Sequence, residues 1–221
     1  MWRAHNREPV LESNTEKAAY LESLTITLND KISPYVSWHS FCFMGTHPHE
    51  TGRLHFEQGR ETCFKALGDW MRNAHSRFGQ GYNRRNHRQG KVAYDRPKTK
   101  EIDAVNGLLE VMFYSDANPV KAGMVSHPSH YRYSSYRYYA YGEKNHLSHA
   151  LTPPPEYLAL GDSPAARQKR YRQLCDKYLR KKKLISDKPS EFSDTAMKSG
   201  TLQTNEPSIQ SDSESKIIDS S

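Results

Sequence analysis

Tyr35–Thr46 reads YVSWHSFCFMGT and runs directly into His47-Pro48-His49. Its density of aromatic and β-branched residues predicts a strand, with the two histidines at its end. Side chains alternate faces along a strand, so imidazoles at i and i+2 point the same way and can grip one divalent ion. Pro48 has no N–H for a sheet ladder, which assigns this stretch to a strand end or edge. Gly52 closes the unit.

Around this strand the chain reads as alternating helices and short strands. Ser13-x-x-Glu16 predicts a capping box opening a helix that runs to about Leu28. Cys63, Leu67, Trp70 and Ala74 recur at helical spacing, predicting a helix over 57–78. Residues 79–90 (GQGYNRRNHRQG) predict a loop from their Gly and Asn content, and 91–94 a short strand. A third helix is expected over 101–117, ended by Pro119. On its wheel Ile102, Val105, Leu108, Leu109, Met112 and Phe113 form an apolar arc. Tyr114 and Asn118, four residues apart, share the other side. A metal, a third ligand and a phenol converging in this way suit the cleavage of a phosphodiester. The pattern predicts an α+β domain with helices packed on one face of a sheet.

The 221 residues carry a net charge of +7, a pI of about 9.2 and 35% hydrophobic residues, so the core is modest. The charge is uneven: residues 186–221 hold three lysines against seven acids, a net of −4, which leaves +11 for the remainder. Serine, charge and few apolar residues predict disorder for that tail. The body's excess suits phosphates. Arg72, Arg77, Arg84, Arg85, Arg88, Lys91, Arg96 and Lys98 are the expected DNA contacts, interleaved with Tyr82, His87 and Tyr94, which can stack on unpaired bases. YRYSSYRYYAYG (131–142) supplies six more tyrosines for core and surface. After Pro153-Pro154-Pro155, residues 165–183 predict a basic helix. Three scattered cysteines exclude a disulfide framework and a cysteine zinc site. No apolar leader or membrane-spanning run is present, which predicts a cytoplasmic, nucleoid-associated protein without a membrane partner.

FCFMGTHPHETG (41–52), GYNRRNHRQGKVAYDRPKT (81–99) and LLEVMFYSDANPVKAGMVSHPSHYRYSSY (108–136) stand in the order found in the HUH-type single-tyrosine transposases, which include the REP-associated tyrosine transposases. The chain resembles that family over roughly residues 1–141, most specifically in the last block. The resemblance implies a ferredoxin-like or RRM-like domain over 1–145, followed by a linker and basic helix (146–185) and the tail (186–221). It implies Tyr114 as nucleophile, His47 and His49 as metal ligands and Asn118 as third ligand. The expected substrate is single-stranded DNA, often beside an imperfect hairpin, and the protein a monomer or homodimer. Two departures stand out: Pro48 replaces a bulky apolar residue between the histidines, and the first strand, within residues 1–8, is expected to be shortened.

Mg²⁺ or Mn²⁺ is the expected cofactor, because the phosphate supplies hard oxygen ligands. A free tyrosine ionises near pH 10, so a polarised phosphate or a basic side chain has to assist its attack. The leading reading is thus a metal-dependent single-strand endonuclease and strand transferase with a 5′-phosphotyrosine intermediate. A DNA-binding protein on the same scaffold that no longer cuts is the alternative. A hydrolase using Glu50 as base beside the histidines is a third.

Overall fold

The computed structural model describes residues 8–92, 99–102, 107–144 and 148–186. By backbone proximity the chain divides into Met1–Asp187 and Lys188–Ser221, and all that follows concerns the first unit. The expected first strand, half of the expected strand over 91–94, Arg96, Lys98, Val105 and the acidic tail lie outside the described residues.

The histidine segment is a hairpin. β1 (Val36–Phe43) pairs antiparallel with β2 (Pro48–Leu54), so the histidines belong to the returning strand and not to the end of the first. Gly45 and Thr46 form the tip, closed by Met44 N–H donating to His47 C=O at 3.0 Å. Pro48 opens β2, where its missing N–H costs least. Gly52 lies inside β2 and does not end the unit: a Cβ there would sit 2.5 Å from the Ser37 carbonyl oxygen, a close approach that only glycine allows.

Trp38 pairs with Gly52 and Ser40 with Thr51, which leaves His39 as an extra residue. Both carbonyls at this bulge are bonded. Thr152 N–H donates to Trp38 C=O at 2.8 Å, and Tyr139 Oη donates to His39 C=O at 2.5 Å. It puts Val36, Trp38, Phe41 and Phe43 on one face and Ser40 and Cys42 on the other. On β1's far edge Phe43 N–H donates to Tyr133 C=O and Ser135 N–H to Phe41 C=O, each at 2.9 Å, around a single bridge between Cys42 and Ser134.

β1 is buried almost throughout, so both faces need cover. The expectation of helices on one face is corrected accordingly. The apolar face packs on α1 (Asn14–Thr27) and α2 (Arg60–Arg85) through Tyr20, Leu24, Trp70 and Phe78. Trp70 Nε1 donates to Leu24 C=O at 2.9 Å, satisfying the buried indole. Ser13 caps α1 by accepting from Glu16 N–H at 3.1 Å. The reciprocal half of the box is not made; the Glu16 carboxylate instead accepts from Arg85 at 2.6 Å and Asn86 at 3.1 Å.

α2 continues through residues 79–85, where a loop was expected. Tertiary packing overrides local propensity there: Phe78 is buried and packs against the Tyr82 ring, tilted by 44° with centroids 5.8 Å apart, and Gly81 leaves room for the Arg85 side chain.

The other face is crossed by α3 (Gly107–Lys121). Glu101 and Ile102 are not helical, and Pro119 lies inside the helix, four residues into its last turn and a half. The helix stops instead at Gly123, at φ +69°, where Gly123 N–H donates to Val120 C=O and Met124 N–H to Pro119 C=O. That is the Schellman pattern, with glycine in the left-handed position.

The tyrosine-rich run forms the short α4 (Tyr136–Tyr141), and α5 (Pro155–Leu158) follows. The basic helix is α6 (Pro164–Lys181), N-capped by Ser163. It is no appendage. Its Tyr171, Cys175 and Leu179 are buried with Met112 and Phe113 of α3 and Tyr136 and Tyr139 of α4 in a second core. Lys169, Arg170 and Lys177 are exposed, while Arg172 turns back onto α4, donating to Ala140 C=O and lying over the Tyr141 ring. The described fold is α+β, with a two-stranded antiparallel sheet between helical layers. No described helix is long and apolar enough to cross a membrane.

Candidate functional site

Cys42 pairs with His49 and Ser40 with Thr51, so His49 projects from the same sheet face as Cys42, toward α3. His47, two residues back, shares that side. Their rings meet edge to face with centroids 4.8 Å apart. The Tyr114 ring stands against His49 at 5.7 Å and 83°. Tyr114 remains 44% exposed, while its α3 neighbours Met112 and Phe113 are buried, as the wheel predicts. A phenol on solvent's side of the helix and two imidazoles at a hairpin tip therefore come together from segments sixty-five residues apart.

The two imidazoles differ. Nδ1 of His47 is bonded to the Thr46 hydroxyl at 2.9 Å; when that nitrogen carries the proton, the lone pair is on Nε2. Nε2 of His49 is buried without a hydrogen-bond partner. Burial, aided by the neighbouring His47, pushes His49 down to about 4, so its ring stays neutral, the form that binds a cation. Asn118 lies one turn beyond Tyr114 and donates its amide nitrogen to Tyr114 C=O at 3.0 Å. Its oxygen is the atom a cation would take. Among the described residues no three His, Cys, Asp or Glu side chains converge as a metal cluster. A metal here would complete its shell with the Asn118 amide, substrate oxygens and water.

The Glu50 reading is corrected. Glu50 pairs with Phe41, so it points to the opposite face from His49, where Tyr20 Oη donates to it at 2.8 Å. Burial raises its carboxyl above the usual range, and His75, on the far side of Tyr20, is pushed down to about 4 by burial. This group belongs to the helical layer and not to the histidine pair.

The expected DNA contacts separate into classes. Arg77, Arg84 and Arg85 line a groove of about 380 Å³ between α1 and α2, with Asn73, Ser76 and Gln80. Arg85 is fixed in it by the Glu16 carboxylate at 2.6 Å, which also raises the guanidinium's pKa. Arg72 pairs with Asp69 and Arg88 with Glu8. Lys91 is exposed.

Sequence reasoning passed over Asp116 and Tyr171. Tyr171 Oη on α6 donates to the Asp116 carboxylate at 2.7 Å, anchoring the helix that carries Tyr114. Asp116 is 1% exposed and burial raises it to about 7. Its one sequence signal was an acid within the helix, two positions from both Tyr114 and Asn118. A scan against protein-family models and searches of curated proteins and of solved structures return no match. The chemistry below therefore rests on this chain's own residues.

Proposed function

We propose that this chain is a metal-dependent endonuclease and strand transferase for single-stranded DNA that works through a covalent tyrosine intermediate. The observation that carries the reading is the Tyr114 ring, its centroid 5.7 Å from that of a neutral His49 whose buried Nε2 has no hydrogen-bond partner and which shares its hairpin tip with His47. An orphaned buried imidazole nitrogen and an adjoining second imidazole fit a divalent cation. His47, His49 and the Asn118 amide oxygen would hold it, and it would neutralise charge on the phosphate's non-bridging oxygens when bound. A donor set of two imidazoles and an amide favours Mn²⁺ over Mg²⁺, which prefers carboxylate and water oxygens.

In this scheme the Tyr114 oxygen attacks phosphorus, the bond to the 3′ oxygen breaks, and the departing strand end takes up a proton as a 3′-OH. The phosphotyrosine keeps the bond for a second strand end. α3, wedged between sheet and α6, holds the phenol, and the Asp116–Tyr171 bond fixes the helix's rotation. We further read the fold as a reduced ferredoxin-like domain, supported by β1 lying between β2 and the Ser134 bridge with α1 and α2 across one face.

The test is to incubate the protein with labelled single-stranded DNA and Mn²⁺ or Mg²⁺ and to resolve products on a denaturing gel. A slow-migrating protein–DNA adduct is expected, lost in Tyr114→Phe and strongly reduced in His49→Ala, with DNA binding retained in Tyr114→Phe. An adduct that persists in Tyr114→Phe, or cutting without one, refutes the tyrosine chemistry. Binding without cutting in either metal establishes the non-cutting DNA-binding alternative.

A further inference from the structure

At the far end of β2 from the histidines the chain makes an exposed aromatic step. A 3₁₀ turn over Phe56–Gln58 is followed by Gly59 at φ +97°, a conformation that suits glycine and swings the chain into α2. Arg60 is the first residue of that helix and Phe64 lies one turn on. The two phenyl rings stand 5.8 Å apart at 43°. The Arg60 guanidinium carbon lies 4.7 Å from the Phe56 centroid and 5.3 Å from that of Phe64. Phe56 is 38% and Phe64 45% exposed. The other exposed large apolar side chains are dispersed over separate elements; here two phenylalanines and a guanidinium adjoin in solvent.

We propose that Phe56, Arg60 and Phe64 form a stacking platform for an unpaired nucleobase of the bound strand, a site that rests on the single-stranded DNA reading above. Phenyl faces and guanidinium planes are the surfaces on which single-stranded bases stack. An apolar protein partner fits less well, because docking it would strip water from Arg60. The carboxylate facing Arg60, that of Glu101, stands off at 3.7 Å with both side chains well exposed. A nucleotide supplies both complements at once, a π-face for the rings and a phosphate for the guanidinium. The placement suits the same substrate: β2 runs from His49 to the platform, a span of roughly 20 Å at ~3.3 Å per residue. One extended strand could reach both, with its scissile phosphate at Tyr114 and a base several nucleotides away on the platform.

The experiment measures binding of the full chain to a labelled dT oligonucleotide, and to an abasic oligonucleotide of the same length, across a salt series. Variants are Phe56→Ala/Phe64→Ala, and Phe64→Trp as the conservative one. Far-UV circular dichroism and light scattering confirm fold and mass for each. The double variant is expected to weaken dT binding about tenfold, from the range typical of base–aromatic stacking. Its salt slope and its affinity for the abasic strand stay unchanged, and Phe64→Trp binds dT at least as well as the parent. Equal dT affinity in the double variant, or an equal loss on the abasic strand, overturns the platform. So does a parent dimer that the double variant splits, which would assign the patch to a second copy of this chain. A parent that binds neither oligonucleotide refutes the DNA reading itself, a failure distinct from that of the platform.

Discussion

Gly52→Ala puts the hairpin that holds the histidines under direct test. The new Cβ would lie 2.5 Å from the Ser37 carbonyl oxygen, and Trp38 Cα would be 3.7 Å away. Ordinary contact begins near 3.4 Å, so the strands must part by about 0.9 Å. The obstacle is backbone on both sides, and no side chain can rotate out of the way. Overpacking of this kind costs roughly 2–3 kcal/mol. With about 2–4 °C of melting temperature per kcal/mol for a chain of this size, the variant should melt about 5–10 °C lower. Gly68→Ala is the matched control. Gly68 lies on the exposed side of α2 with nothing within 4 Å of an added Cβ, so alanine there should stabilise by about 0.5–1 kcal/mol. Thermal and urea unfolding followed by circular dichroism measure both. If Gly52→Ala melts with the parent or above it, β2 does not press on Ser37 as described, and the register that places His49 beside Cys42 is wrong.

Asp116→Asn probes the buried carboxyl. Its folded pKa near 7 lies above the unfolded value of 3.8, so the native state holds the extra proton in between. Parent stability therefore falls as pH rises from about 4 to about 7 and is flat above, and the variant's advantage over the parent should grow across that window by on the order of 4 kcal/mol in pH-dependent urea melts. Tyr171→Phe removes that carboxyl's donor and should cost about 1–3 kcal/mol in the same assay at neutral pH. Leu179→Ala, in the core shared by α6 and α3, should cost about 2–5 kcal/mol; a change under 1 kcal/mol would show α6 to be dispensable. If DNA follows the groove, Arg77→Ala and Arg84→Ala should each lower the salt slope of binding by about 1, and Arg72→Ala, ion-paired to Asp69, should leave it nearly unchanged.

The elements that sequence conveyed well were those set by local rules. Ser13 announces its own capping bond, and the wheel that separates Tyr114 from Met112 and Phe113 needs only a helical period. The shared side of His47 and His49 follows from strand alternation wherever the strand begins. What escaped depended on partners distant in the chain. The length of α2 turns on Phe78 and Tyr82 finding a core, against the propensity of Gly79 and Gly81. Pro119 looks like a stop signal until Gly123 is seen to make the actual one. The basic stripe of α6 hid Tyr171, Cys175 and Leu179, whose burial requires α3 and α4. Glu50 is adjacent to His49 in sequence, and only the pleat sends the two to opposite layers.

The unmatched residue at position 39 divides the hairpin into two half-ribbons of independent phase. Nearer the tip, pairing with β2 locks which side chains look toward Tyr114; nearer the base, Val36 and Trp38 keep their own orientation. Deleting that one residue would join the two halves into a regular ladder with the imidazoles in place and Trp38 still facing the helical layer, and would remove the carbonyl to which the Tyr139 hydroxyl donates. Length changes before Val36, by contrast, can be taken up in the turn after α1, which makes the histidine end the fixed half of an otherwise adjustable ribbon.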